Sequence, residues 1–478
     1  MTERTHRGNH ARSGAAALAS SIAPGWGQIL VGRGNVGRVL LVIDGVLVVV
    51  LVVLVLFFRI ELLQAWVTPT ALLGILAVNL GVLLYRGVAA IDSFVSAGGR
   101  GAWDWFAGVV AGVIVLAPHL LLGSLVLTQY DLIDTVFGGG QPTAAAPVTT
   151  TAIDPGPTTT VMGLTSTTLV PTTSTTAPTI WDGQERLNIL LLGSDAGEGR
   201  IGTRTDTMIL VSIDPESGNV AMFSIPRNLT FAPLPEGMGL WDCNCFPDIL
   251  AHLWANGEWY PDAFPGPLEP PVNALKGAVG LIFDVDVHYY AKVDLKGFVD
   301  VVDALGGVTI DIPERIADPT YPHEDGGTES LVFEPGVQLL DGHHALAYGR
   351  IRRNSGDFAR MHRQRCLLGA LVRQTGPLDV ISGFEELASA VKENVVTDIP
   401  VEALPDFVEL LPKVHTSRVA SLRITRYNYG VGGNNPGTQR YDLDQLRMDA
   451  RLLMEDPEAA LATLDGDGLD ATCEESFD

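Results

Sequence analysis

Asn188-Ile-Leu-Leu-Leu-Gly193, Thr207-Met-Ile-Leu-Val-Ser-Ile213 and Val220-Ala-Met-Phe-Ser-Ile225 are three short apolar runs that follow one another closely. Each has the length and apolar density of a buried strand. The first leads into the loop Gly193-Ser-Asp195. The other two are separated by Asp214-Pro-Glu-Ser-Gly218, a turn signature. Downstream, Val272–Ile282 reads as a helix, His288–Val293 as a strand, and Leu295–Leu305 as a helix stopped by Gly306-Gly307. Val308–Ile312 reads as a further strand. Gly342–Tyr348 and the amphipathic Phe358–Gln374 read as helices, and Glu402–Leu411 and Leu443–Leu453 as two more around a strand at Val419–Ile424. Strands alternating with helices predict an α/β domain over residues 184–455, an α-β-α sandwich with a central mixed sheet.

The first 130 residues have a different character. Val39–Phe58 carries one charge, Asp44, and Trp66–Tyr85 carries none. Trp105–Tyr130 has no Asp, Glu, Lys or Arg, although Pro118 and His119 interrupt it. About 20 apolar residues cross a hydrocarbon core, so residues 39–130 are expected to form three transmembrane helices. Pro118 is expected to kink the third, and His119 to meet a neighbouring helix as a structural polar group. Arg4, Arg7, Arg12, Arg33 and Arg38 precede the first span, and Arg86 and Arg100 lie between the second and third. Basic loops stay cytoplasmic. Residues 1–38 are therefore expected inside the cell and everything after Tyr130 outside, which makes this a multi-pass membrane protein with an extracytoplasmic domain.

Residues 138–182 read as a linker. Gly138–Ile180 holds fifteen Thr and six Pro with one charge, Asp154, too little apolar surface to fold. Its expected role is reach, holding the domain off the membrane while tethering it. Residues 456–478 read as an acidic, disordered tail. The four cysteines, Cys243, Cys245, Cys366 and Cys473, all fall in the external part, where disulfides form. Cys243 and Cys245 stand too close in sequence to pair comfortably, so each is expected to bridge to Cys366 or Cys473, with the pairing left open. A Cys-x-Cys metal site lacks further ligands nearby.

Six arginines and no lysine fall within Arg350–Arg365, in a chain of net charge -24 with 31 Lys plus Arg. A guanidinium presents a fork of donors suited to phosphate oxygens. Helical spacing puts Arg360, Arg363, Gln364 and Leu367 on one stripe. Arg350 and Arg352 precede it, and Asp357 can orient one guanidinium. Arg353 and Arg365 read as surface charge, and His343-His344 as structural. Two further clusters, Thr203-Arg204-Thr-Asp206-Thr207 and Ser224-Ile-Pro-Arg227-Asn228, sit at strand ends, where open α/β sheets bind ligands. Asp195 and Asp206 would share that crevice and repel unless a cation lay between them. Beside phosphate that cation is magnesium, with manganese as the alternative. There is no Walker loop, Gly-x-Ser-x-Gly elbow or His-Glu-x-x-His motif. An external domain has no ready ATP and no nucleic acid to bind.

Asn188–Asp195, Arg204-Thr-Asp-Thr-Met208, Ser224–Arg227, Gly297–Gly307 and Leu340–Gln364 together resemble, in order, the motifs of the LytR-CpsA-Psr family. The resemblance implies a transferase of the bacterial cell membrane that moves a glycan phosphate from a polyprenyl-pyrophosphate carrier to a peptidoglycan hydroxyl. By motif, Asp195 and Asp206 would hold the metal. Arg204, Arg227, Arg350, Arg352, Arg360 and Gln364 would bind the pyrophosphate, and Arg363 could join them. Asp195, Asp206, Arg227, Arg350 and Arg352 would form the catalytic group. Phe298, Val301 and Leu305 could line a groove for the lipid.

Three departures stand out. Asn228 replaces the family's usual aspartate. The family's Lys-x-Asn motif, due near Ile249–Ala251, is absent. Three spans exceed the single span common in the family. The alternative is therefore a catalytically weakened member that binds lipid-linked glycan or cell-wall polymer as an assembly factor. A regulator of transcription is disfavoured, because the arginines lie outside and the cytoplasmic part is too short for a DNA-binding domain.

Overall fold

The computed structural model describes residues 14–98, 101–138, 179–181, 184–195, 202–322, 327–352, 356–375, 384–414, 418–432, 438–464 and 466–468. Helices α1 (Gly34–Phe57), α2 (Arg59–Trp66), α3 (Pro69–Ser96) and α4 (Ala102–Phe137) build the amino-terminal part. Of these, α1, α3 and α4 are long and apolar enough to cross a membrane. α4 stays one helix through Pro118 and has 36 residues. At 1.5 Å per residue it is about 54 Å long, against about 30 Å of hydrocarbon. His119 meets α3 as expected. Its Nδ1 lies 2.6 Å from Asn79 Oδ1, and Asn79 Nδ2 donates to the His119 carbonyl at 2.9 Å. Arg33 Nη1, 2.5 Å from Asp92 Oδ1, ties the start of α1 to the end of α3.

The extracytoplasmic part expected from sequence is built on a seven-stranded mixed sheet. Its strands are β1 (Leu187–Ser194), β2 (Thr205–Ile213), β3 (Val220–Ser224), β4 (Tyr289–Val293), β5 (Val395–Thr397), β6 (Val419–Leu422) and β7 (Gly466–Gly468). They lie in the order β5-β4-β1-β2-β3-β6-β7. The pairs β1–β4 and β3–β6 are parallel and the rest antiparallel. Val308–Ile312 is a strand, as expected, but pairs with Gly336–Leu340 outside this sheet.

Alternation along the strands separates the two faces. Leu190, Leu192, Met208, Leu210 and Phe223 pack with residues of α5 (Pro270–Phe283), among them Leu275 and Ile282. Leu191, Ile209, Val211 and Met222 face the other way, toward Leu368. On that side stand α6 (Leu295–Ala304), α7 (Gly342–Arg350) and α8 (Gly356–Gln374). α6 is capped by Asp294, whose carboxylate accepts from Gly297 N at 2.8 Å. Gly306 and Gly307, both at positive φ, turn the chain away after it. α8 is less amphipathic than expected: Arg360, His362, Arg363 and Arg365 are all buried alongside its apolar residues.

Three expectations are corrected. The linker does not hold the domain clear of the anchor. α2 and the end of α4 pack on α9 (Phe384–Asn394) and α10 (Leu404–Leu410), with Trp66 edge-on to Phe384 at 6.2 Å. Of residues 138–182, Ile180 donates its N–H to Asp406 at 2.9 Å, and 139–178 lie outside the described residues. The tail is folded in its first half. Asp456 caps a helix at Pro457–Thr463, whose Ala460 is buried, and β7 pairs with β6; an N-cap aspartate followed by proline favours a helix start. Residues 469–478 lie outside the description. Lastly, Cys243 and Cys245 are bonded to each other. Asn244 between them takes a left-handed conformation (φ 48), which asparagine tolerates, and the Cα atoms come to 5.1 Å, within bridging range. Cys366 is also disulfide-bonded.

Non-reducing peptide mapping should therefore find Cys243 and Cys245 joined within one peptide and Cys366 joined to a separate one. A bridge from Cys243 or Cys245 to Cys366 would contradict the fold at this loop. A second prediction concerns His362. Burial, then Arg365, Arg423 and Arg363, push its imidazole down to about 3. The unfolded chain takes up this proton near pH 6.5. Acidification below that value therefore protonates only the unfolded state and lowers stability. The loss of Tm between about pH 7 and about pH 5 should shrink in His362→Gln; an identical loss would remove His362 as its source.

Candidate active site

Two strand ends and one helix create the site. Gly193 pairs with Thr207 and Ser194 with Thr205, so Asp206 is left over as the extra residue of a β-bulge. Bulges re-aim side chains. Here Asp206, Thr207 and Ile209 all line one cavity of about 550 Å³, although strict alternation would send Asp206 to the opposite face from Thr207. Asp195, just past β1, also lines it. Its Oδ1 accepts from Arg204 N at 2.9 Å, and its own N–H donates to the Arg204 carbonyl at 3.0 Å, closing the loop between the strands.

Arginines converge on Asp206 from three elements. Arg227, just past β3, places Nη1 2.5 Å from Asp206 Oδ1. Arg352, past α7, brings Nη2 to 3.8 Å from Oδ2. Arg360 of α8 donates to the Asp206 carbonyl at 3.2 Å. Burial would raise the Asp206 carboxyl, but Arg227, then Arg360 and Arg352, overcome it and hold the group below the usual carboxylate range. Arg350 lies against Tyr321, with Nη1 3.3 Å from the hydroxyl. Gln364 donates to the Gly349 carbonyl at 3.2 Å. Arg350, Arg352, Arg360 and Gln364 all line the cavity with the two aspartates.

Much of the rest of the wall is apolar. Leu191 and Ile209 come from the sheet, Phe298 from α6, Leu368 and Leu371 from α8, and Val395 from β5. On α8, Arg360, Gln364, Leu367, Leu368 and Leu371 form the stripe that helical spacing predicts.

Not every expected residue arrives there. Arg204 is exposed and outside the cavity; it serves the site through its backbone. Arg363 is turned away into the core, where its guanidinium donates to the carbonyls of Tyr348 (2.8 Å) and Ile351. Three residues past Arg360 it remains on the same broad side of α8, but α7 claims it. Arg365 is not surface charge: it is 3% exposed and donates to Ser421 Oγ on β6 at 2.6 Å. Val301 and Leu305 do not line the cavity, whereas Phe298 does. Arg353 and the Asp357 side chain lie outside the described residues.

Lys292, Asp318 and Tyr321 line the cavity without any sequence signal for it. Lys292 sits 4.9 Å over the Trp254 ring, and burial lowers its ammonium pKa. Tyr321 belongs to the hairpin strand Ile316–Pro322, and only tertiary packing brings it to Arg350.

Among the described residues no cluster of three or more His, Cys, Asp or Glu could hold a metal by itself. The donor set at Asp195 and Asp206 nevertheless suits a hard divalent cation that takes its remaining ligands from phosphate and water.

Curated relatives include the polyisoprenyl-teichoic acid–peptidoglycan teichoic acid transferases TagU of Oceanobacillus iheyensis and TagV of Bacillus subtilis. The first is 31% identical over 223 residues, covering 46% of this chain and 61% of the relative. The second is 26% identical over 252 residues, covering 52% and 59%. The chain thus spans about three fifths of the length of each. The crystal structure of B. subtilis TagV aligns with 56% of this chain and 96% of its own, at 24% identity and a TM-score of 0.42. Residues 164–452, more than half of the chain, match the model of the LytR_cpsA_psr family, and the chain belongs to that family.

Proposed function

We propose that this protein is a membrane-anchored phosphotransferase. It would move a glycan phosphate from a polyprenyl-pyrophosphate carrier to a hydroxyl of peptidoglycan, in a bacterial cell membrane with its catalytic domain outside. The observation that carries this reading is the cavity itself. Asp206 with Arg352 and Arg360 stands beside one part of the wall, and Leu191, Phe298, Leu371 and Val395 make up another. A pyrophosphate joined to a long isoprenoid chain has the same two-part character.

In this reading Arg350, Arg352 and Arg360 bind the pyrophosphate oxygens. Arg227 keeps Asp206 ionised and oriented, and the Gln364–Gly349 contact holds the middle of α8 against the end of α7. The acceptor oxygen bonds to the glycan-side phosphorus and gives up its proton, the bond to the bridging oxygen breaks with its electron pair staying on that oxygen, and polyprenyl monophosphate leaves, with the proton passing to it or to water. Such a loose transition state needs fixed positive charge and alignment more than covalent catalysis. Magnesium, held by Asp195 and Asp206, would neutralise phosphate charge further.

One observation favours the alternative of a binding protein without turnover. Leu250 and Ala251, where the family supplies a Lys-x-Asn motif, are apolar and 0% exposed.

The full chain in proteoliposomes, given a lipid-pyrophosphate glycan, magnesium and peptidoglycan fragments, should release polyprenyl monophosphate. Arg227→Ala and Arg352→Ala should each lower the rate by about 10² or more. Arg352 is half-exposed, so its loss should leave folding intact. Tight donor binding with no release under any divalent metal would establish the alternative. A tag inserted after Phe137 should be reached by reagents outside intact cells; protection of that tag would overturn the extracytoplasmic placement.

A further inference from the structure

The cavity has a direction. Thr207 of β2 pairs with Gly193 of β1, Gly193 with Val293 of β4, and Val293 with Val395 of β5. All four residues line the cavity, so it crosses the sheet along one row. Three strand spacings make that row about 14 Å long. At its β2 end stands Asp206 with its arginines. Toward its β5 end the wall is mostly apolar, with Val293, Leu295, Phe298 and Val395 beside Lys292 and Asp294, and β5 touches α4 of the anchor.

α4 is built for that contact. Val126, Gln129, Ile133 and Val136 are buried, at spacings of three and four that put them on one face. Leu72 of α3 and Val401 and Leu404 of the domain cover Val126 and Ile133 in a shared apolar cluster with Trp66 and Tyr130. Around it, Gln64 Nε2 donates to the Pro405 carbonyl at 3.3 Å, and Lys392 of α9 pairs with Asp131 of α4. Lys392 lies just before Val395 on the chain. α4 is long enough to leave the bilayer and still present these turns to the domain.

We infer that the anchor is a docking platform. It fixes the apolar end of the cavity at the membrane surface beside α4, so that the isoprenoid chain of a lipid donor passes from the bilayer over β5 into the cavity. This rests on the proposed use of a lipid-linked donor. A tether alone would leave the chain to cross water. A seated domain keeps it in apolar contact.

Ile133→Asp, which puts a charge into the docking cluster, should undock the domain, and the pair Asp131→Cys with Lys392→Cys should lock it by a disulfide. Two readouts are compared in proteoliposomes of the full chain. The first is transfer from a long-chain donor in the bilayer against a short-chain, water-soluble donor. Ile133→Asp should slow the long-chain reaction about tenfold or more and leave the short-chain reaction within about twofold, and the locked pair should keep both. The second needs no turnover. A polyprenyl phosphate bearing a diazirine at its far end should photolabel β5 and the last turns of α4 in the wild type, and lose the β5 label in Ile133→Asp. Equal rates on the long-chain donor for docked and undocked chains, equal loss on both donors, or labelling of β5 unchanged by undocking would each overturn the route. If the wild type transfers from neither donor but the label moves as stated, the transferase reading fails and the route stands.

Discussion

The Asp206 carboxylate is the charge around which the site closes. Arg227 and Arg352 reach it from two elements of the fold, and Arg360, from a third, donates to the Asp206 backbone carbonyl beside it. Without it, three guanidiniums would face one another in a partly buried pocket, where unpaired charge is costly. With it, they are held in place around one carboxylate-bearing residue. The bulge in β2 makes this possible, because it turns Asp206 toward the same cavity as Thr207 and Ile209.

The arginine segment divides its labour along one helix. Arg360 and Gln364 face the cavity, Arg363 satisfies the last carbonyls of α7, and Arg365 reaches across to β6. The inward arginines are thus structural cross-links that hold α8 over the sheet. His362, neutral among them, fills space without adding charge. This arrangement explains how Arg360, Arg363 and Arg365 can be buried together: each guanidinium finds an oxygen acceptor.

The amino-terminal helices pack directly on the domain. α2 and the end of α4 present an apolar cluster and an ion pair to α9 and α10, next to the edge of the sheet that closes the cavity. The site and the amino-terminal helices are thereby parts of one packed structure.

Much of this was legible in the residues. Apolar runs of membrane length, strand-length runs broken by Asp-Pro and Gly, and the motif order are local patterns, and local patterns report element type and family. Asp195, Asp206, Arg350, Arg352, Arg360 and Gln364 were readable for the same reason, and all line the cavity. What stayed hidden depends on register and packing. A bulge is set by a partner strand, so the aim of Asp206 was invisible. Arg363 and Arg365 have the same chemistry as Arg360, and only the neighbours each one meets decide whether it binds a ligand or braces the core. The Cys243–Cys245 bond turned on the backbone conformation of Asn244. The seating of the domain on its anchor required residues hundreds of positions apart to meet. Sequence alone determined which chemical groups were present and which elements would carry them; tertiary structure decided which way they point, because direction is fixed by contacts between segments distant in the chain.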